Sequence, residues 1–427
     1  MKRRRRVWIP IVLIVLGTAL AVVLGLNFGR PEKHVEARLE HRYRTSDPQF
    51  HRAMGALLGP AILPGNRVEY LENGDEIFPA MLAAIAAAEH SITFETYIYW
   101  SGEIGKAFGD ALAGRARAGV RVHVLLDWAG SGKMDDALLE ELRASGVEVE
   151  KYHPLKWYHL SRLNQRTHRK LLTVDGRTGF TGGVGIADKW SGDGEDPEHW
   201  RDAHFRIEGP AVAQIQAVFA DNWLKVSGEV LDGEAYFPAL FPLGDVEGQM
   251  FSSSPTGGSE SMRLMYLMAI AAAESSIDIS ASYFVPDGLT RRTLLDALHR
   301  GVRIRVIVPG EHMDAEIVRA ASRAHWGELL AAGAEIYEYS PTMYHCKVFT
   351  VDGNLVSVGS TNLDNRSFAL NDEANLNLYD TEFAKRMTAV FEVDLARSRR
   401  VTFQAWSSRP LKERAAEWMA RPFESQL

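Results

Sequence analysis

One pattern of residue types occurs twice in this chain, at matching places in two halves that repeat one another, and this duplication constrains the fold more than any other feature. His168-Arg-Lys170-Leu-Leu-Thr-Val-Asp175 and His345-Cys-Lys347-Val-Phe-Thr-Val-Asp352 share the spacing His-x-Lys-x4-Asp. The landmarks around each copy correspond in the same order. Ala84 to Glu89 with Ser91-Ile92 matches Ala269 to Glu274 with Ser276-Ile277. The alternating run from Gly119 to Asp127 matches that from Gly301 to Val308, Gly146-Val-Glu-Val matches Gly333-Ala-Glu-Ile, and Ala217-Val-Phe219 matches Ala389-Val-Phe391. So long a period excludes a solenoid and predicts two homologous α/β domains related by a pseudo-two-fold axis. Helical segments running into β-branched, alternating segments predict largely parallel sheets covered by helices.

The expected boundaries are a first domain over 62–227, a linker over 228–260, a second domain over 261–405 and a C-terminal tail over 406–427. The linker carries Pro238, Pro242, Ser252 to Ser254, Pro255, Gly257 and Gly258, which is loop chemistry. Phe237, Leu240 and Phe241 within it either touch lipid or pack on the body, and packing is the preferred reading.

Each motif continues from an expected strand into Asp-Gly, a hairpin-turn signal, and then a second strand. Side chains alternate along a strand, so His168 and Lys170 share a face, as do His345 and Lys347. The second strands end in small residues, Gly182-Gly183 and Gly359-Ser360, which would let a substrate approach the backbone. Two such hairpins facing each other place two imidazoles and two ammonium groups around one point. That constellation suits a phosphodiester. The lysines stabilise the non-bridging oxygens as charge builds in the transition state. One imidazole attacks phosphorus, and the other protonates the leaving oxygen and then activates the incoming hydroxyl. A carboxylate beside each ring would fix its tautomer, and Asp202 and Glu373 stand at equivalent places downstream of the two motifs. His204, two residues after Asp202, is the one further histidine of interest. No spacing of His or Cys suggests a metal site, and no cofactor is expected.

The N-terminus is distinct from the rest. Lys2 and Arg3 to Arg6 (segment 1–6) precede 20 uncharged, largely apolar residues from Val7 to Leu26. That length spans a bilayer, and no small-residue cleavage site follows it. An uncleaved anchor over 7–27 and a polar juxtamembrane segment over 28–61 are expected. The basic cluster favours an inside N-terminus and a catalytic body on the outer, periplasmic face of the cell (inner) membrane, although Arg30, Lys33, Arg38, Arg42 and Arg44 reduce the bias. Removing the five N-terminal cations from 48 Lys and Arg leaves 43 against 55 Asp and Glu. So acidic a body argues against a nonspecific nucleic-acid binder. Trp157-Tyr158 reads equally as an interfacial or a packing pair. Cys346 excludes an internal disulfide, being the single cysteine in the chain. It is read as a buried small residue in preference to a reactive thiol.

The paired motifs, together with Leu163-Asn164-Gln-Arg166 before the first, Trp200-Arg201-Asp202 after it, and Gly359-Ser-Thr-Asn362-Leu-Asp-Asn-Arg366-Ser367 after the second, resemble the phospholipase D superfamily, and within it the bacterial cardiolipin synthases. The resemblance implies two phospholipase D-type α-β-α sandwich domains, metal-independent chemistry and a phosphohistidine intermediate. It implies that Asn362 helps bind phosphate, that Glu373 and by position Asp202 hydrogen-bond the histidines, and that Asp175 and Asp352 are mainly structural. The expected reaction is phosphatidyl transfer between two phosphatidylglycerols, giving cardiolipin and glycerol, with His168 as nucleophile and His345 as acid and base. Hydrolysis to phosphatidic acid and nuclease-type phosphodiester cleavage are the alternatives. Two departures stand out: Gly185 occupies a position where many members carry Asn, and the anchor is single where some cardiolipin synthases resemble a two-span form.

Overall fold

In the computed structural model, residues 11–22, 35–154, 164–254 and 260–426 are described. The first half contributes β1 (Leu63–Glu72), β2 (Ser91–Thr96), β3 (Arg121–Asp127), β4 (Glu148–Tyr152), β5 (Arg166–Thr167), β6 (Lys170–Val174), β7 (Thr178–Gly182) and β8 (Ala203–Glu208). The second contributes β9 (Val246–Ser253), β10 (Ser276–Ala281), β11 (Arg303–Pro309), β12 (Glu335–Tyr339), β13 (Lys347–Val351), β14 (Leu355–Gly359), β15 (Asn371–Tyr379) and β16 (Ser398–Val401). The strand order β4-β3-β2-β6-β7-β8-β1 is answered strand for strand by β12-β11-β10-β13-β14-β15-β9. The two units are joined edge to edge by β1 and β9 into one continuous sheet.

The expectation of largely parallel sheets needs correction. Among the described residues the parallel ladders within each unit are β2-β3-β4 and β10-β11-β12, whose strands are connected by helices. The Asp-Gly turns reverse the chain after each motif, and the remaining ladders of each unit are antiparallel. Helices Asn73–Ala86, Glu103–Arg117 and Asp136–Ala144 cover the outer face of the first sheet, and Ser261–Ala272 and Gly288–His299 that of the second. The inner faces meet in a shared core. Phe205, Ile215 and Phe219 from the first half are buried there with Val358, Leu376 and Phe391 from the second. The halves therefore bury their apolar surface against each other, and that contact sets the distance between the two motifs.

Three segments differ from expectation. Part of the segment expected to be juxtamembrane belongs to the folded body. Asp47 caps the helix Pro48–Leu58 by accepting from Gln49 N at 2.7 Å, and Phe50, Met54 and Leu58 lie at i, i+4 and i+8 on its buried face. That face packs into the core of the second half. The linker contains β9, whose Ser- and Gly-bearing sequence conceals a strand held on both sides by β1 and β15. Leu240 packs on the shared core, whereas Phe241 stands exposed. The tail is folded too: the helix Leu411–Ala420 packs on the helix Glu316–Ala324.

Of the expected anchor, residues 11–22 are helical with every side chain exposed, and the rest lies outside the described residues, as do Trp157 and Tyr158. Among the described residues no helix is long and apolar enough to cross a membrane.

Candidate active site

The two hairpins are built by one device. Asp175 and Gly176 have φ of 52° and 60°, and Asp352 and Gly353 have 50° and 64°, the left-handed pair that a type I′ turn requires. Each turn is closed by a backbone hydrogen bond, Arg177 N to Val174 O and Asn354 N to Val351 O. The Asp175 carboxylate then accepts from Glu89 N, His90 N and Ser91 N at 2.7–2.9 Å. Asp352 accepts in the same way from Glu274 N, Ser275 N and Ser276 N at 2.7–3.0 Å. The motif aspartates thus fasten the hairpin to the helix–strand junction that forms the other landmark of the repeat.

At the opposite end of each hairpin the halves exchange partners. The backbone before His168 pairs with β15 of the other half, and His168 N donates to Asp372 O at 2.9 Å. Symmetrically, Tyr344 bridges to Arg201, and His345 N donates to Arg201 O at 2.7 Å. The carboxylate next along each of those strands meets the ring. His168 Nδ1 lies 3.0 and 3.1 Å from the two oxygens of Glu373, and His345 Nδ1 lies 2.7 Å from Asp202 Oδ2. A carboxylate can only accept, so each Nδ1 carries the proton and each Nε2 keeps its lone pair. Both orienting carboxylates are fully buried, and each belongs to the half that does not supply its histidine. Lys170 Nζ donates to His168 O at 2.8 Å. Lys347 Nζ donates to Ser282 Oγ and His345 O at 2.6 and 2.7 Å and stands 3.2 and 3.3 Å from the His345 ring nitrogens.

His168, Lys170 and His345 line a cavity of about 450 Å³ together with Asn362, Arg166 and Arg366, with Lys347 and the two carboxylates behind its wall. Asn362, expected to help bind phosphate, lines it, its Oδ1 accepting from Ser282 Oγ at 3.1 Å. Ser360 and Gly183, expected to face substrate, lie one layer behind the wall. Ser360 Oγ donates to Glu373 Oε2 at 2.5 Å, and a Cβ on Gly183 would stand 2.1 Å from Asp202 Oδ1. The small residues at the hairpin ends make room for the carboxylate strand. Gly185 has no space for the amide that Asn362 carries in the second half, since a Cβ there would meet Ile98 and Trp190. Cys346 points away from the cavity and is buried, and burial pushes its thiol pKa up. His204 is buried behind the site, its pKa drawn down to about 4 by burial.

The profile of the family described as "Cardiolipin synthase, PLD-like domain" matches residues 81–223 and 266–395, the two halves that carry the motifs. The chain belongs to this phospholipase D-like, cardiolipin synthase family. A cardiolipin synthase from Geobacillus kaustophilus is 38% identical over 354 residues, covering 82% of this chain and 70% of that protein. The major cardiolipin synthase of Bacillus subtilis is 36% identical over 363 residues, covering 83% and 74%. In fold, the crystal structure of a phosphatidylserine synthase from Haemophilus influenzae superposes with a TM-score of 0.63 at 13% identity, covering 89% of this chain and all of that one.

Electrostatics in this phospholipase D-like site follow from enclosure. Burial, opposed by Glu373, lowers the His168 pKa to about 4. Burial and Lys347, opposed by Asp202, lower that of His345 to about 3. Burial and the neighbouring Lys347 bring Lys170 down to about 7. Without an anion present, the two ammonium groups destabilise each other.

Several side chains in the site have no signal in the repeat. Trp190 Nε1 donates to Asp202 Oδ2 at 2.9 Å and takes the place that the Ser360 hydroxyl holds beside Glu373. Trp190 and Trp200 each have ring centroids 5.3 Å from that of His345, whereas Tyr97 lies 5.1 Å from His168. Away from the cavity, His123, Glu148 and Glu229 bring ligand-type atoms within 4.8 Å of one another, with both glutamates exposed.

Proposed function

We propose that the protein is a membrane-anchored phosphatidyltransferase that forms cardiolipin and glycerol from two phosphatidylglycerols. The observation that carries this reading is the exchanged pair of His–carboxylate contacts around one cationic cavity, in a chain of the cardiolipin synthase family. His345 takes up a proton on Nε2 as the phosphate anion binds and offsets the charge of Lys347. His168 Nε2 then attacks phosphorus, the bond to the head-group glycerol oxygen breaks, and His345 delivers that proton to the leaving oxygen. Glycerol leaves, and the phosphatidyl group is held on His168. A hydroxyl of the second phosphatidylglycerol then gives its proton to His345 and attacks phosphorus, and the P–N bond breaks to release cardiolipin. Lys170 and Lys347 neutralise the phosphoryl oxygens in both steps, and Asn362 binds the same oxygens. Each lysine donates to the carbonyl of its own histidine, but Lys347 Nζ also stands 3.3 Å from His345 Nε2, and on that difference the acid–base role is assigned to His345. Residues 7–27 are proposed as the anchor, with the N-terminus inside.

The test is incubation of the purified full chain with phosphatidylglycerol and mass spectrometry of the products. Cardiolipin with equimolar glycerol is expected, and acid-labile phosphate on the protein should disappear in His168→Ala. Phosphatidic acid as the sole product would replace transfer by hydrolysis. Cleavage of single-stranded DNA with no lipid turnover would overturn the lipid reading.

A further inference from the structure

The helix Leu411–Ala420 is inverted relative to an ordinary surface helix. Its protein-facing side carries buried Glu417 and Ala420. Glu417 is neutralised there by Arg409, whose Nε and Nη2 donate to it at 2.6 and 2.5 Å. Its outward side carries Leu411, Ala415, Trp418 and Met419, at i, i+4, i+7 and i+8, and Phe423 follows. Leu411 is 78% exposed, Trp418 71%, Met419 60% and Phe423 52%. A monomeric body in water gains nothing from such a stripe, because the large apolar groups face solvent while a charged pair is enclosed.

Two observations identify what covers it. The first is continuity with the catalytic cavity. The helix Glu316–Ala324, on which the stripe-bearing helix packs, supplies Ile317 and Val318 to the cavity wall, and Ile317 is itself exposed at the rim. Beyond Phe423 the chain runs to Gln426, which also lines the cavity. Gln426 is held there by Asn164 Nδ2 donating to its Oε1 at 2.6 Å and by Arg366 Nη1 donating to its carbonyl at 2.8 Å. The apolar stripe and the mouth of the site thus form one surface. The second is charge: Lys412, Arg414 and Arg421 flank the stripe and are exposed. An outward tryptophan with flanking cations is the pattern of a helix lying in the headgroup–acyl boundary of an anionic bilayer. The competing exposed residues, Phe241 and Leu243, adjoin the segment whose Tyr236 and Pro238 pack on the turn at Gly176, at the end of β6 remote from His168 and Lys170.

We propose that the helix Leu411–Ala420, with Phe423, rests on an anionic bilayer and holds the cavity mouth against the lipid. This inference rests on the reading that the substrate is a membrane phospholipid, and its test is read separately from that reading. Cys346 is buried, so a cysteine introduced at the surface takes a thiol-reactive fluorophore selectively. The full chain carrying Met419→Cys, labelled and reconstituted into phosphatidylglycerol–phosphatidylcholine vesicles, should show a blue-shifted emission quenched by lipid-borne spin labels. Phe241→Cys treated in the same way should remain in water. The double variant Trp418→Glu/Met419→Glu should turn over vesicle phosphatidylglycerol at least tenfold more slowly, yet match the unaltered protein within about twofold on short-chain, monomeric phosphatidylglycerol.

A label at position 419 that stays water-exposed in vesicles overturns the proposal. So does an equal loss on both substrates, which would mark a damaged cavity. Concentration-dependent burial of the label in lipid-free detergent would assign the stripe to a second copy of the chain and overturn it likewise. Insertion of the label by a protein that turns over no phospholipid would support the docking surface while removing the proposed reaction.

Discussion

At the scale of single residues the site is symmetric in its histidines and their orienting carboxylates, and asymmetric in the groups that hold those carboxylates. Glu373 is held by a serine hydroxyl and Asp202 by an indole N–H. Trp190→Phe keeps a ring against His345 but removes that donor. A hydrogen bond to a charged group is worth about 1.5–3 kcal/mol, so kcat should fall about 10- to 100-fold. Asp202→Asn and Glu373→Gln should cost more, about 10²–10⁴-fold, because the ring itself then loses its orientation. Steady-state kinetics with circular dichroism as a folding control decides the order, and a Trp190→Phe enzyme of full activity would remove the indole from the site. Lys170 yields a pH test. With its pKa drawn down to about 7, it loses its proton above neutrality unless an anion is bound. Sulfate stays dianionic across this range. Its inhibition constant should rise between pH 7 and 9, by up to about tenfold per pH unit, and a flat profile would show that Lys170 keeps its charge. The histidines, lysines and both carboxylates were legible in the sequence because each recurs at an equivalent place. Trp190 and Tyr97 were not, since they stand where the halves differ.

At the scale of elements, the Asp-Gly turns were legible because their backbone conformation demands those residues, and the β9 strand was not because its residues resemble a loop. The two turns share their positive φ but not their surroundings. A Cβ on Gly176 would stand 2.3 Å from Tyr236 O and 2.5 Å from Pro238 Cδ, whereas one on Gly353 meets nothing within 4 Å. Gly353→Ala should therefore cost only the left-handed strain, about 1–2 kcal/mol. Gly176→Ala should cost clearly more, because the linker must move. Paired urea titrations measure the difference, and equal losses would mean that the linker yields freely. The exchanged pairing of β5 with β15 was also hidden in the sequence, since a two-residue strand has no periodicity.

At the scale of the whole molecule, the price of enclosing the site is paid in acid. His123, His168, His204 and His345 are all buried with pKa values lowered to between about 3 and about 4. In the unfolded chain each titrates near about 6.5. Their contribution to stability is complete above that value and is lost as pH falls from there toward 4. Asp127 and Asp364, raised to about 6 chiefly by burial, act in the opposite sense over part of the same range. Glu95, Glu148 and Asp314, also raised by burial, add to that opposing sense, so the histidine contribution is read by difference. Between about pH 6.5 and 4.5 the urea midpoint of the unaltered protein should fall more steeply, or rise less, than that of His123→Gln/His204→Gln. Equal slopes would show that these histidines are hydrated in the native state.

The exchanged carboxylates also have a consequence in time. His168 and Glu373 are 205 residues apart in the chain. At about 5–20 residues per second of synthesis, a ribosome that has just made the first motif needs some further tens of seconds to make its orienting partner. Throughout that interval the nascent chain holds an imidazole with nothing to fix its tautomer. The catalyst comes into being late and all at once, when the second half closes on the first.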